Sequence, residues 1–195
     1  MRTSRRLCVS ALVLALGLGA GCGESHQVVL TSQAPATFGE EPEDFEEATV
    51  TNVVDGDTID VEITARTDGP GAGEADIGTE YRVRLIGIDT PESVKPGTPV
   101  ECFGKEASAA AAALLEGADV RLVKDVEETD RYDRLLRYVY IEAEMANARL
   151  VVNGYASAYT YPPNVRHSDL FVDLERDARE NDRGLWSPDT CGGES

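Results

Sequence analysis

Histidine and basic residues are scarce in this chain of 195 residues, and both shortages argue against whole classes of function. Acidic residues outnumber Lys and Arg by 36 to 18, which gives a formal net charge of −18. Because such a protein repels a polyanion at long range, the sequence argues against tight, nonspecific nucleic-acid binding through a basic groove. Neither His26 nor His167 stands in a recognisable relay, so a serine or cysteine nucleophile is not indicated.

A hydrophobic run occurs near the N-terminus, where Leu7–Ala20 follows the basic start Met1–Arg6. The run is shorter than the apolar segments that usually span a bilayer, and small residues follow it directly. Residues 1–21 are therefore predicted to be a signal peptide, and we expect an exported protein. Removal of the three arginines in this signal would take the net charge from −18 to −21.

The end of the signal, Leu18–Cys22, resembles a bacterial lipobox, in which the cysteine is acylated and becomes the mature N-terminus. Gly19 departs from that pattern, which favours Leu three positions before the cysteine. Ordinary signal-peptidase cleavage near Ala20 is the alternative, but a cysteine directly after small residues favours lipidation of Cys22. We expect this lipid to be the only membrane contact of a protein that is a cell-envelope lipoprotein or extracellular.

Two of the four cysteines remain once Cys8 leaves with the signal and Cys22 is lipidated. In an oxidising compartment, the economical interpretation is a disulfide between Cys102 and Cys191 that fastens the C-terminal tail to the domain. Zinc is the alternative, but it normally takes four ligands and the chain has only two histidines.

The composition changes again after the signal. Residues 22–47 are polar and show little periodicity, and Glu40–Glu47 contains six acidic residues, so this segment is predicted to be an acidic disordered tether. Strand-like patterns begin at Ala48. We expect residues 48–190 to form one domain and the protein to be a monomer.

The domain alternates between β-rich and helical segments. The five predicted strands are Thr49–Val54, Thr58–Ala65, Tyr81–Ile88, Asp119–Lys124 and Leu135–Ile141. The three predicted helices are Gly104–Glu116, Met145–Val152 and Ser168–Asn181. Five short strands interrupted by one helix suit a small OB-type barrel, whereas a sandwich would need more strands. The sequence therefore predicts an α+β fold dominated by a five-stranded OB-fold β-barrel with about three helices.

The first of three polar clusters is Asp55–Thr58, at the turn between the first two predicted strands. Taken alone, an Asp-Gly sequence indicates only a hairpin turn. A calcium-hand loop starting at Asp55 fails, because Asp60 stands where glycine is needed and Arg66 stands where glutamate is needed.

The other two clusters carry arginines. In Arg84–Glu92, an arginine within an apolar strand needs an anionic partner, either a structural carboxylate or a bound phosphate. Pro91 keeps the preceding residue extended and turns the chain, so the acids at this strand end are brought to one end of the sheet. Thr129–Arg134 precedes the fifth strand, and its two arginines suit phosphate oxygens.

Together the clusters offer the parts that phosphodiester hydrolysis needs. Hard oxygen ligands would hold Ca²⁺, which offsets charge on the phosphate. A carboxylate would orient or deprotonate the attacking water, and arginines would stabilise the extra charge of the transition state.

These motifs are similar, in order and spacing, to those of staphylococcal nuclease-like domains, and the resemblance covers roughly residues 48–188. The matching segments are Val54–Thr58, Arg84–Glu92, Gly104–Ala107, Arg131–Arg134, Asn153–Ala156, Ala158–Tyr161 and Leu185–Ser187. Any one motif would be a weak signal, but all of them in register make a specific one. The resemblance implies an OB-fold, Ca²⁺-dependent phosphodiesterase that cuts DNA, RNA or both.

The resemblance also assigns residues to roles. The implied catalytic residues are Arg84 and Arg134, which clamp the scissile phosphate, and Glu92, which acts on the attacking water. The implied metal ligands are the carboxylates of Asp57 and Asp89 and the carbonyl of Thr90. The implied substrate contacts are Arg131, Tyr132, Tyr159 and Tyr161, with core packing as the alternative for the last two.

Two departures from the family pattern concern the substrate. Asp133 stands where the best-known member has glycine, and the loop Thr67–Thr79 is longer and more acidic than expected. The competing function is a catalytically silent OB-type module that binds nucleic acid or protein. Such modules usually lose the acids or arginines, and this chain keeps all of them.

Overall fold

The computed structural model of the protein describes residues 42–93, 97 and 99–191. The predicted signal peptide, Cys22 and the predicted tether as far as residue 41 lie outside these residues. Within the described part of the chain, no helix combines the length and the apolar character needed to cross a membrane.

The described residues form eight strands, three α-helices and two 3₁₀ turns. The strands are β1 (Glu46–Val53), β2 (Thr58–Arg66), β3 (Glu80–Leu85), β4 (Ile88–Asp89), β5 (Asp119–Val123), β6 (Leu135–Ile141), β7 (Glu144–Met145) and β8 (Ser157–Ala158). The helices are α1 (Gly104–Leu115), α2 (Ala146–Val152) and α3 (Ser168–Glu180), and the 3₁₀ turns are Pro70–Ala72 and Gly184–Trp186.

Five of these strands close into a mixed barrel in the order β3-β2-β1-β5-β6. The neighbours along that order are antiparallel, and a parallel pairing of β3 with β6 joins the two ends. Closure leaves no free sheet edge in the barrel. The predicted α+β fold with a five-stranded OB-type barrel and three helices is confirmed.

The barrel interior follows from the alternation of apolar residues. Ile59, Val61 and Ile63 of β2 point inward and are fully buried, as the period-2 pattern predicts. Strand β6 differs, because six of its seven residues are buried and α2 contacts it from outside. The sequence of β6 is accordingly apolar on both faces, apart from Arg137.

Arg137 lies in a buried ion pair with Glu46, and neither side chain is exposed to solvent. Its Nε donates to Glu46 Oε2 at 2.7 Å, while Nη1 donates to the carbonyls of Glu128 and Leu136. Nη2 contacts the Glu128 carboxylate as well. Strand β1 begins at Glu46, earlier than the start predicted at Thr49, because Glu46 already pairs with Arg66 of β2 and Leu122 of β5.

A disulfide joins Cys102, just before α1, to Cys191 in the C-terminal tail. The two cysteines are 89 residues apart, and their Cα atoms are separated by 5.9 Å. The bond therefore links the segment that leads into α1 with the tail that follows α3.

Replacing Glu46 with Leu should lower the free energy of unfolding by about 3–5 kcal/mol, because the fully buried Arg137 then loses its main counterion. Urea denaturation measures the change. The matched control is Arg82→Met in the exposed pair with Asp60, which should cost at most about 1 kcal/mol. An equal, small effect in both variants would contradict the assigned role of the buried pair.

Candidate active site

The carboxylate of Asp57 connects the turn after β1 to the strand end at β4. Its Oδ2 accepts hydrogen bonds from the amide and the hydroxyl of Thr90, at 3.0 and 3.1 Å, and its Oδ1 accepts one from Thr58 Oγ1. A Cβ on Gly56 would lie 2.7 Å from Thr90 Oγ1, so only glycine allows this close approach. Asp57 is consequently fixed in place and almost fully buried.

Arg84, near the end of β3, binds two of the predicted metal-ligand carboxylates. Its Nη2 lies 3.2 Å from Asp57 Oδ2 and 3.0 Å from Asp89 Oδ1, and its Nη1 donates to the carbonyl of Leu85 at 2.6 Å. The side chain is only 14% exposed. The anionic partner that the sequence requires for this arginine is therefore present within the chain itself.

The carboxyl groups of Asp55, Asp57 and Asp89 lie close together near Arg84, and the pKa values of two of them are shifted. Burial raises the pKa of Asp55, and the neighbouring Asp57 carboxylate raises it further. Loss of solvent also raises the pKa of Asp89, against the opposing effect of Arg84. Arg84 contacts Asp57 and Asp89, and its charge also opposes the rise in the pKa of Asp55.

Asp55 was not among the residues predicted for the site. Its Oδ1 accepts the amide of Asp57 at 3.1 Å, which is the ordinary hydrogen bond of an Asx turn. The Asp-Gly signal in the sequence was fully explained by that turn. The second role, charge coupling to Asp57, depends on the burial that only the fold produces.

Arg134 lies one residue before β6 and is held by Asp130. Its Nε donates to Asp130 Oδ2 at 2.7 Å and its Nη2 lies 2.6 Å from the same oxygen. Asp130 Oδ1 also accepts the amides of Tyr132 and Arg134, so the acid shapes the whole turn. Asp133 completes the turn with a left-handed φ of 62°, a conformation that glycine adopts more readily.

The parallel pairing of β3 with β6 brings the two arginines to one end of the barrel. Val83 is in register with Leu135, and Arg84 with Leu136. Arg134 therefore arrives beside the end of β3 that carries Arg84.

Aromatic side chains form the outer part of the site. The guanidinium of Arg131 lies over the Tyr132 ring at 4.7 Å, and Tyr132 is 63% exposed. Tyr159 and Tyr161 stack in parallel with their centroids 6.4 Å apart, and they are 49% and 64% exposed. Core packing, the alternative weighed for these two tyrosines, does not match this exposure.

The segment that carries these two tyrosines is fastened at several points. The amide of Tyr159 donates to the carbonyl of Gly87, and Asn164 Oδ1 accepts the amides of Val126 and Glu127. Asn164 itself is buried. The two rings therefore face solvent from a fixed backbone.

One cavity of about 780 Å³ brings together all the residues predicted for catalysis, metal binding and substrate contact. Those residues are Asp57, Arg84, Asp89, Thr90, Glu92, Arg131, Tyr132, Arg134, Tyr159 and Tyr161. The acidic loop Thr67–Thr79 lines none of this cavity. Instead it packs near the buried ion pair, where the amide of Ala75 donates to Glu46 Oε1.

The site does not contain a complete side-chain cage for a metal. Among residues 42–93, 97 and 99–191, no three His, Cys, Asp or Glu side chains are grouped so as to hold an ion. The predicted ligand set has two carboxylates and one backbone carbonyl, so it falls below that requirement. All three donors are oxygens, which fits a hard cation that takes further ligands from water or a phosphate.

Replacing Asp55 with Asn should stabilise the protein at pH 7, because ionised Asp55 is disfavoured in the folded state, and its pKa is raised there. The cost of ionisation is fully present above the raised pKa and disappears below the ordinary carboxyl pKa of 3.8. We expect a higher Tm for the variant at pH 7 and equal Tm values below that range. A variant that is less stable at pH 7 would contradict the charge coupling.

Comparisons with known proteins agree on one family. The sequence model described as staphylococcal nuclease homologue matches residues 82–188. The chain is 38% identical to a thermonuclease of Staphylococcus hyicus over 138 residues, which are 71% of this chain and 74% of that protein. It is 39% identical to a thermonuclease of Staphylococcus intermedius over 137 residues, 70% of this chain and 74% of that protein.

A more distant relative comes from another genus. An SPbeta prophage-derived endonuclease of Bacillus subtilis (strain 168) is 33% identical over 143 residues, which are 72% of this chain and 44% of that protein. With the family model matching more than half of the chain and two thermonucleases covered over most of their length, this chain belongs to the staphylococcal nuclease family.

Proposed function

We propose that this protein is a Ca²⁺-dependent nuclease that hydrolyses DNA, RNA or both, with Arg84, Glu92 and Arg134 as its catalytic residues. As a member of this family, with relatives named thermonuclease and endonuclease, it is a hydrolase of phosphodiester bonds. The observation that carries the finer proposal is the single cavity that holds acids, two arginines and exposed aromatic rings together.

Asp57, Asp89 and the carbonyl of Thr90 would hold the Ca²⁺ ion. When bound there, the ion would supply positive charge that offsets the charge of the phosphate. Asp57 is prepared for this role, because Thr58 and Thr90 already fix both of its carboxylate oxygens.

The two arginines would clamp the scissile phosphate. Both guanidiniums are already fixed by carboxylates, Arg84 by Asp57 and Asp89, and Arg134 by Asp130. A guanidinium fixed in this way loses little rotational freedom when a phosphate binds. Its donors stabilise the extra negative charge of the transition state more than the charge of the ground state.

Glu92 would orient the attacking water or take a proton from it. It lies at the same cavity wall as Asp89 and Thr90, just beyond Pro91, which turns the chain. The backbone of Glu92 is fixed on both sides by hydrogen bonds to Glu101. This anchoring supports a role that needs a fixed carboxylate.

The aromatic and basic residues at the cavity mouth would bind the rest of the nucleotide chain. Arg131 and Tyr132 would contact a neighbouring phosphate. Tyr159 and Tyr161 present stacked rings to solvent, which suits contact with nucleobases.

We also propose that the protein is exported, with residues 1–21 as the signal peptide and Cys22 as the lipidation site. The tether predicted for residues 22–47 would end before β1, because Glu46 and Glu47 belong to that strand. The disulfide between Cys102 and Cys191 supports export, because such bonds persist in oxidising compartments.

Replacing Glu92 with Gln should lower kcat by about 10²–10⁴-fold on DNA or RNA in the presence of Ca²⁺, because the carboxylate no longer acts on the water. Removal of Ca²⁺ with a chelator should abolish turnover of the unchanged chain, and added Ca²⁺ should restore it. The proposal would be refuted if neither the chelator nor Glu92→Gln affected cleavage. Nucleic-acid binding without any turnover would instead support the silent binding module.

Replacing Asp133 with Asn should lower KM for a nucleic-acid substrate by about two- to threefold at low salt, because a negative charge beside Arg134 is removed. Since this effect is electrostatic, it should disappear near 1 M salt. Asp133→Gly is the matched variant that also relieves the left-handed backbone. An unchanged KM in both variants at low salt would show that Asp133 does not limit affinity.

A further inference from the structure

The backbone of Glu92 forms two hydrogen bonds with Glu101. The amide of Glu101 donates to the carbonyl of Glu92 at 2.9 Å, and the amide of Glu92 donates to Glu101 Oε2 at 3.0 Å. On its N-terminal side, Glu92 follows Thr90, which Asp57 holds. Among the described contacts, the Asp57 contact with Thr90 and the two hydrogen bonds with Glu101 hold the backbone that carries the proposed catalytic carboxylate.

The first residue of α1, Gly104, packs against the backbone of Glu92. The amide of Gly104 donates to the carbonyl of Glu101 at 3.0 Å, and a Cβ on Gly104 would lie 2.7 Å from the backbone carbonyl oxygen of Glu92. Residues 101–104 therefore pack directly against the backbone of Glu92.

The disulfide fixes this segment to the C-terminal tail. Cys102 is adjacent to Glu101, and it is bonded to Cys191. The tail is itself held by the body of the domain, because the amide of Leu185 donates to the carbonyl of Gly154 at 2.8 Å.

Side-chain packing holds this segment together with the disulfide, because the Phe103 ring stacks on Tyr155 with the ring centroids 5.7 Å apart. A second cavity, of about 500 Å³, lies between the chain at Thr90 and Pro91 and the tail residues Leu185 and Trp186. Glu101 and both cysteines line it as well. At this cavity, the disulfide is a direct link between the chain at Glu101 and the C-terminal tail.

We propose that the disulfide between Cys102 and Cys191 acts through Glu101 to position Glu92, so that full hydrolytic activity requires the oxidised protein. The proposal rests on the function proposed above for Glu92. Reduction by an external dithiol would break the S–S bond, leave two thiols in the protein and oxidise the dithiol to its own disulfide. The enzyme would then have low activity in a reducing compartment and gain full activity when the bond forms.

The central test compares kcat and KM of the full chain with those of Cys102→Ser/Cys191→Ser, on a DNA substrate with Ca²⁺. We expect kcat to fall about 10- to 100-fold, because small displacements of a catalytic group are costly. KM should change less than about twofold, since Glu92 acts in the chemical step and not in substrate binding. A kcat within twofold of the unchanged chain would overturn the proposal.

A double-mutant cycle separates positioning from general loosening. In the Glu92→Gln background, removal of the two cysteines should change kcat by less than about twofold, because the group being positioned is already gone. A full 10-fold loss in that background would overturn the proposal. Glu101→Ala should reproduce the loss caused by cysteine removal, whereas Glu101→Gln, which keeps an acceptor oxygen, should recover much of the activity.

Stability is controlled with a variant that is destabilised elsewhere. Leu122→Ala weakens the core at β5 and lines neither cavity, so its kcat should match that of the unchanged chain at a temperature where both are folded. If Leu122→Ala lost as much kcat as the cysteine variant, loss of stability would explain both and the proposal would fail. Reduction and reoxidation of the unchanged chain should lower and then restore kcat, and a dithiol should not affect the cysteine variant.

Hydrogen exchange gives a measurement that is independent of turnover. The amides of Glu92 and Glu101 should exchange faster after reduction, whereas amides of β6 should be unchanged. Equal protection of the Glu92 amide in both redox states would count against the proposal. The two proposals fail differently: an unaffected Glu92→Gln enzyme refutes the catalytic role, whereas an inactive Glu92→Gln beside a fully active cysteine variant refutes only the role of the disulfide.

Discussion

The carboxylate of Asp57 is the point on which the site depends. It accepts three hydrogen bonds, from Thr58 and twice from Thr90, and it contacts the guanidinium of Arg84. These contacts join the turn after β1, the end of β3 and the end of β4, which are three separate parts of the barrel. A single buried group thus sets the relative positions of the proposed metal ligands and one of the two arginines.

The chain combines an acidic surface with a site that handles a polyanion, and the structure shows how the two are reconciled. Of the three arginines that line the cavity, Arg84 is paired with Asp89 and Arg134 with Asp130, whereas Arg131 lies over the Tyr132 ring. The positive charge is therefore local and directed, and it does not form a basic groove. In the proposed mechanism, such an arrangement would stabilise charge at one phosphate and contribute little to long-range attraction.

The sequence was sufficient to predict the barrel and most of the cavity, because both depend on local patterns. Alternating apolar residues define β2, and the strand that ends in Asp89 carries its acids to the cavity by chain direction alone. The buried position of Glu46 could not be recognised from the sequence. It lies in an acidic run that is typical of a solvated tether, and its partner Arg137 is 91 residues away. Glu101 was missed for the same reason, since its importance comes from contacts with Glu92 and not from its own neighbours in sequence.

The parallel pairing of β3 with β6 also makes assembly of the site depend on closure of the barrel. Strands β3 and β6 are remote in the chain, so their pairing carries a large loop-closure entropy and is a nonlocal step in folding. Until that pairing forms, Arg84 and Arg134 belong to different parts of an open sheet. The same contact that completes the barrel also brings together the proposed phosphate clamp, so a partly folded chain would hold no assembled active site.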